Sequence, residues 1–334
     1  MQYNARNQNG APKVTVSVVV VHAEPSFADG IAACEPARSG RIETLAFASA
    51  DDAIPHAGEA EIVMGLAQTV SQRLVDAMPR LRWIQAFTTG VDPLERLRLP
   101  AGTIVTSARG VHGPQMTELA FLLMLALLRK LPQMLANQAR AHWQRWPQPL
   151  LFGKTIVIVG VGAIGEELAA RCQAFGMRVL GVSGGRASAP HFDRMFPRAG
   201  LVQAAAEADF LVVLAPYTAA NHHLVDAAAI AALPARAVLI NLARGNVVDE
   251  AALIEALAHH RIAGAGVDVF ATEPLPPESP FWRLPNVIVT PHIGGFSDIY
   301  AQQVLPAVIE NLELYIGGKS NALRNLCWIE GVAR

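Results

Sequence analysis

The feature that most constrains this chain is the run Lys154-Thr155-Ile156-Val157-Ile158-Val159, which leads directly into Gly160-Val161-Gly162-Ala163-Ile164-Gly165. Consecutive β-branched residues favour a strand buried on both faces, which belongs inside a parallel sheet. The glycines that follow match GxGxxG. Alone that pattern is weak, because glycines also cluster in ordinary turns. Here it follows a strand and opens a helix near Ile164. In that setting Gly160 permits the tight turn, Gly162 lets a pyrophosphate approach the backbone, and Gly165 lets helix and strand pack closely. Ala163 and Ile164 lie in the first helical turn, whose free N–H groups and positive dipole end suit phosphates.

The rest of the chain repeats this alternation. Strands are predicted at residues 156–159, 178–182, 210–214, 237–241, 264–269 and 287–290. The segments between most of them have helical composition, as at 166–175 and 250–259. Upstream, residues 14–21 read as a strong buried strand, with shorter ones at 61–66, 82–86 and 103–106 and a loop at 88–92. A long helix is expected over 115–131, introduced by Gly113-Pro114 and closed by Pro132. A second helix follows, ending near 142–146, and an amphipathic helix is expected at 303–315. Residues 1–10 are polar and patternless and predict a loose tail. Strands alternating with helices predict an α/β fold, with parallel sheets covered on both faces. A chain of 334 residues is long enough for two such domains.

Composition excludes several classes. Hydrophobic residues make up 52% and charged residues 16%, which argues against disorder. The formal net charge is −1, and no run of five like charges suggests a nucleic-acid surface or a polybasic membrane anchor. The longest apolar run, residues 119–128, is about half of what a membrane span needs. Residues 14–21 are too short and too β-branched for a secretory signal. Cys34, Cys172 and Cys327 are far apart and show no metal-ligand spacing. No metal is expected, and the sparse cysteines fit a reducing, cytoplasmic setting.

The strand at 178–182 ends at Ser183, about 20 residues beyond the first glycine, where an NAD site usually has Asp or Glu on the ribose hydroxyls. This chain has Ser183-Gly184-Gly185-Arg186. Ser183 could donate to a 2′-phosphate and Arg186 could pair with it, which favours NADP(H), with NAD(H) possible. The alternative is that Arg186 is a solvated loop residue and the site is permissive.

Three later segments place an ionisable residue beyond the C-terminal end of a predicted strand, the edge where open α/β sheets bind ligands. They are Asn241-Leu242-Ala243-Arg244-Gly245, the stretch from Gly266 through Asp268 to Glu273-Pro274, and Thr290-Pro291-His292-Ile293-Gly294-Gly295. Taken singly, Arg244 could be a capping ion-pair partner, Glu273 a loop charge and His292 a satisfied loop histidine. Together they form a complete set for hydride transfer to a keto acid. His292 could donate to the developing alkoxide or take the hydroxyl proton. Glu273 could orient the imidazole and favour its protonated form. Arg244 could bind the substrate carboxylate and polarise the carbonyl.

These pieces, in this order, resemble the D-isomer-specific 2-hydroxyacid dehydrogenase family, in particular its glyoxylate/hydroxypyruvate reductases. The likeness extends over about residues 80–316. It implies two Rossmann-like, doubly wound parallel-sheet domains with the active site in a cleft between them. A discontinuous, flavodoxin-like substrate domain would comprise residues 1–107 and 297–334, and an NAD(P)-binding domain 108–296. By the family pattern Arg244, Glu273 and His292 are catalytic. A Gly-containing loop with Thr89 and Gly90 binds the substrate carboxylate, together with Arg244 and His292. Pro216 and Asp268 flank the cofactor, with Leu242, Ala243 and Gly294 beside it. The resemblance also implies a homodimer, with a helix over 117–131 at the interface; its run 121–125 is apolar all round, as a doubly buried helix should be.

The chain departs from the family near Asn221, where relatives commonly have a second Thr. His222 and His223 are expected on the surface. His112 lies near a crossover and could reach the cleft. Trp143, Trp146 and Trp282 could reach a partner's cleft, though packing in a core is the safer expectation. The activity implied is transfer of a hydride between NAD(P)H and a small 2-keto or 2-hydroxy acid. The alternative is a cofactor-sensing, corepressor-like binding protein of the same fold, which can retain Arg244, Glu273 and His292. A third class, oxidising formate or phosphite, usually carries further residues around the site that are not evident here.

Overall fold

The computed structural model describes residues 15–332. The tail expected at residues 1–10 lies outside them. The chain divides into two compact units, one running to Val111 and resuming at Ser297, the other comprising His112–Phe296.

In the first unit β1 (Val16–Val21), β2 (Ile42–Phe47), β3 (Ile62–Gly65), β4 (Trp83–Ala86) and β5 (Ile104–Thr106) form a sheet with the final strand, Leu326–Ile329. The order is Leu326–Ile329, β5, β4, β3, β1, β2. Only Leu326–Ile329 runs antiparallel. This is the 2-1-3-4-5 order of a flavodoxin-like sheet with one added edge strand. Alternate residues of β1 face two different cores. Val18 and Val20 pack with Phe27, Ile31 and the helix Tyr300–Ile316, while Val19 and Val21 pack with Leu74, Val75 and Met78. Each fully buried side chain of this size contributes roughly 1.5–3 kcal/mol.

The second unit has seven parallel strands: β6 (Thr155–Val159), β7 (Arg178–Ser183), β8 (Arg194–Pro197), β9 (Phe210–Val213), β10 (Val238–Asn241), β11 (Gly264–Val267) and β12 (Val287–Val289). Their order, β12-β11-β10-β9-β6-β7-β8, reverses between β6 and β9. That reversal is the topological switch point of a dinucleotide-binding sheet. Val157 and Val159 face one core, Ile156 and Ile158 the other, the pattern of a sheet wound on both sides. The fold is thus α/β, with two doubly wound, mainly parallel sheets.

Three strands were not expected: β2, β8 and Leu326–Ile329. Each is an edge strand; β2 and β8 are interrupted by polar residues or proline, and Leu326–Ile329, though apolar, is a four-residue antiparallel addition without the β-branched run of a central strand. The long helix also departs from expectation. It spans Gly113–Leu128, ends as Lys130 turns left-handed at φ 58°, and gives way to a second helix, Leu131–Ala139. On the face that the single chain leaves uncovered, Leu122 is 56% exposed. The core expectation for the tryptophans is also corrected. Trp143 is 89% exposed and Trp282 51%, while Trp146 is half-buried. Trp143 follows the end of Leu131–Ala139, where no sheet or helix covers it. His222 is exposed and stacks on half-buried His223. Among the described residues no single helix is long and apolar enough to cross a membrane.

Candidate active site

The glycine turn sits at the switch point between β6 and β9. Gly160 has φ +105°, and a Cβ there would lie 2.4 Å from the Ala215 nitrogen, so the two strand ends meet only because this residue is glycine. A Cβ on Gly165 would lie 2.6 Å from the Gly160 carbonyl oxygen. Gly162 caps the helix Ala163–Ala174, which leaves the amides of Ala163 and Ile164 in its first turn. A cavity of about 270 Å³ opens here, walled by the glycine turn, Ser183, Gly184, Arg198, Pro216 and Asn221, among others.

Within this wall Ser183 Oγ accepts from the amides of Gly185 at 3.4 Å and Arg186 at 3.2 Å. Arg186 reaches back over the turn, donating to the Val161 carbonyl at 3.3 Å and pairing with Glu166. Asn221 is 2% exposed and donates to the Pro216 carbonyl at 2.8 Å. Its own side-chain oxygen is buried without a partner among the described residues. A buried acceptor on a cavity wall fits a ligand that brings a donor, as the adenosine of a dinucleotide does. Arg198 was not anticipated, because the strand that delivers it, β8, was not.

The ionisable residues expected to act together gather at the C-terminal ends of β10, β11 and β12. Arg244 follows β10. Its Nη1 donates to the Ala243 carbonyl at 2.7 Å, and its own carbonyl accepts from Asn241 Nδ2 at 3.2 Å. The next residue must be glycine, because a Cβ on Gly245 would lie 1.9 Å from the carbonyl carbon of Phe270. Leu242 and Ala243 are buried just before it. Glu273 folds back toward β11, where its Oε1 accepts from the Phe270 amide at 2.9 Å and its Oε2 lies 2.7 Å from His292 Nδ1. An ionised carboxylate only accepts, so Nδ1 carries the hydrogen and Nε2 is left for other chemistry. Burial pushes Glu273 up, but the hydrogen bonds from His292 and Phe270 and the charges of His292 and Arg244 outweigh it and hold the carboxyl below its usual range. Glu250 behaves oppositely. Burial and the neighbouring Glu273 charge raise it, although it accepts from the Ala271 amide at 2.6 Å.

His292 has φ +53°, an uncommon conformation for a side-chain-bearing residue. Asp268, 1% exposed, holds the loop in that shape. Its backbone carbonyl accepts from His292 N at 2.8 Å. Its carboxylate accepts from Thr290 Oγ1 at 2.5 Å, Ile293 N at 3.1 Å and Gly294 N at 2.9 Å. Asp268 and Gly294 therefore bind each other, whatever else they line. His112 is 6% exposed at the N-terminus of Gly113–Leu128, and burial lowers it to about 4.

In the other unit, β4 runs out into Phe87-Thr88-Thr89-Gly90. The Phe87 carbonyl accepts from the Tyr300 hydroxyl at 2.6 Å, the Thr88 carbonyl from Ala108 N at 2.9 Å, and the Gly90 carbonyl from Thr88 Oγ1 at 2.7 Å. Thr89 Oγ1 donates to the Ala108 carbonyl at 3.5 Å. With three carbonyls engaged, the Gly90 amide donates to no group among the described residues.

Residues 121–294 match the family model described as "D-isomer specific 2-hydroxyacid dehydrogenase, NAD binding domain". The chain belongs to the D-isomer-specific 2-hydroxyacid dehydrogenase family. It is therefore an NAD(P)-dependent oxidoreductase acting on the CH–OH group of 2-hydroxy acids. A family protein from Aeromonas salmonicida subsp. salmonicida superposes with a TM-score of 0.86 at 32% identity, covering 94% of this chain and 99% of its own. Glyoxylate/hydroxypyruvate reductase B of Citrobacter koseri is 33% identical over 275 residues, 78% of this chain and 82% of that protein. The NADPH-dependent glyoxylate/hydroxypyruvate reductase of Sinorhizobium meliloti, solved with NADP and sulfate, gives a TM-score of 0.80 at 26% identity over 93% of this chain and 98% of its own.

Proposed function

We propose that this dehydrogenase works as a reductase of small 2-keto acids, of the glyoxylate and hydroxypyruvate kind, and takes NADPH in preference to NADH. The observation that carries the chemistry is the Glu273–His292 contact of 2.7 Å. It fixes the imidazole with Nε2 available, so the protonated ring can donate to the carbonyl oxygen as it becomes an alkoxide. The same nitrogen takes the hydroxyl proton in the reverse direction. Arg244, whose charge already acts on Glu273, holds the substrate carboxylate beside that proton. Thr89 and Gly90 offer a pinned loop whose amide suits a carboxylate. A bound nicotinamide cofactor supplies or accepts the hydride at C2 of the acid. The glycine turn, Ala163, Ile164, Pro216, Leu242 and Ala243 would hold it, with Asp268 and Gly294 shaping the loop beside it. Ser183, where a carboxylate would read an unphosphorylated ribose, supports the NADPH preference.

In this reading the unit His112–Phe296 is the cofactor domain and the remainder of the chain the substrate domain. The enzyme is a cytoplasmic homodimer. Its three free cysteines support a reducing setting. Leu122, Leu135, Trp143, Leu150 and Phe152 are all more than half exposed. They lie on segments joined by the Arg129–Gln148 and Asn137–Gln144 hydrogen bonds, so their apolar surface suits a second copy. The test is to measure initial rates with NADPH and NADH against glyoxylate, hydroxypyruvate, pyruvate, phenylpyruvate and a branched keto acid. Faster turnover with NADPH supports the reading, and faster turnover with NADH removes the cofactor preference. Cofactor binding without turnover of any acid removes the reductase.

A further inference from the structure

Two arginines approach the ribose end of the cofactor cavity, and the structure treats them differently. Arg186 follows Ser183 closely in sequence, but its guanidinium is turned away onto Glu166 and the Val161 carbonyl. Its charge is already compensated. Arg198 arrives by another route. The strands β7 and β8 pair with Ser183 opposite Pro197, which sets Arg198 across from Gly184. Its guanidinium lies so close to Gly184 that a Cβ there would sit 2.6 Å from Nε and 3.0 Å from Cζ. Both Arg198 and Gly184 line the cavity. Among the described residues the Arg198 side chain makes no hydrogen bond or ion pair. Glu166, at the glycine turn, is engaged by Arg186.

We propose that Arg198, laid across Gly184 at the β7–β8 edge, is the cation that recognises the 2′-phosphate of NADPH, with the Ser183 hydroxyl as its partner. This rests on the NADPH preference proposed above. Ser183 Oγ accepts two amides and keeps its own hydrogen for donation. A 2′-phosphate between them receives that hydroxyl and the planar guanidinium fork, an arrangement suited to a phosphate dianion. An unphosphorylated ribose offers Arg198 only neutral hydroxyl acceptors, without the charge that the guanidinium complements. Gly184 is then a required residue, because any side chain there displaces the guanidinium.

The test is calorimetric titration with 2′,5′-ADP and 5′-AMP, using the wild type and the Arg198→Gln, Arg186→Gln and Gly184→Ala variants. The wild type is expected to bind 2′,5′-ADP more tightly. Arg198→Gln loses that advantage by roughly 10–100-fold while 5′-AMP affinity stays put. Gly184→Ala produces a loss in the same direction without any change of charge, and Arg186→Gln keeps the advantage. An Arg198→Gln protein that still favours 2′,5′-ADP overturns the assignment and leaves the NADPH reading intact. So does an Arg186→Gln protein that has lost the preference. A wild type that does not favour 2′,5′-ADP overturns both.

Discussion

Replacing Glu273 by glutamine keeps the size of the side chain and removes one acceptor. In the native arrangement Oε2 meets His292 Nδ1 at 2.7 Å and Oε1 meets Phe270 N at 2.9 Å. Both partners donate, and an amide has a single acceptor oxygen. If that oxygen keeps the Phe270 amide, the NH₂ group faces Nδ1, which must then become an acceptor. The ring hydrogen moves to Nε2. In the oxidation direction Nε2 can no longer take the hydroxyl proton, and in reduction a neutral ring is a poor acid. A positioned acid or base contributes about 10²–10⁴ in rate, so kcat should fall by that factor, about 3–5 kcal/mol. Cofactor affinity should stay within about twofold, because the glycine turn and Ser183 belong to other strands. In the wild type the depressed Glu273 stays ionised above its ordinary value of 4.5, so the pair is present there and is lost only as the pH falls through a lower value. The assay is nicotinamide absorbance in both directions across pH, with a fluorescence titration of cofactor and a thermal melt to confirm folding. A glutamine variant with wild-type kcat in both directions would refute the argument.

Three further outcomes follow from the geometry. His112 is buried and lowered to about 4, so it stays neutral when folded while the unfolded chain takes up a proton below 6.5. Its contribution is complete above that value and falls by about 3 kcal/mol as the pH drops toward 4; denaturant melts of His112→Gln should show a flatter acid limb than the wild type, and equal slopes would contradict this. Tyr300→Phe leaves the buried Phe87 carbonyl without its 2.6 Å donor, which should cost about 1–3 kcal/mol of stability and raise KM for the keto acid more than for the cofactor. An unchanged melt and KM would remove Tyr300 from that role. Gly245→Ala forces a Cβ to within 1.9 Å of Phe270, so kcat/KM should drop at least about tenfold, whereas full activity would show that the two segments separate freely.

The fold was legible in the central strands and hidden at three of the four sheet edges; the fourth edge, β12, carries the β-branched run Val-Ile-Val that marks it. The fully buried runs of β1, β6 and β9 (residues 18–21, 156–159 and 210–213) are apolar because both faces are covered, and composition marks them without help from neighbours. By contrast, β2 reads Ile-Glu-Thr-Leu-Ala-Phe and β8 reads Arg-Met-Phe-Pro, and each owes its strand conformation to pairing with one inner neighbour. Missing β8 also hid Arg198. Its proximity to Gly184 is a matter of register, which sequence spacing does not reveal. Trp143 misled for a related reason: a large apolar residue is usually buried, but an exposed one marks a surface that another molecule can cover.

The candidate site divides along the same line. Arg244, Glu273 and His292 were visible because each follows a recognisable strand, and strand ends on one side of a parallel sheet lie on one edge. What the sequence did not reveal is how hydrogen bonding divides the acids among tasks. Asp268 and Glu273 are both carboxylates near His292, yet only one reaches the ring. Asp268 is fully engaged by Thr290, Ile293 and Gly294, and its backbone carbonyl holds His292 N. It stabilises a left-handed histidine that would otherwise relax, and so acts on the loop rather than on the imidazole. Glu273 is left to act on the ring because its second oxygen needs only the Phe270 amide. Two residues of one chemical type thus take different roles according to which backbone amides each can reach, and those amides are set by the turns after β11 and β12, which only the folded chain defines.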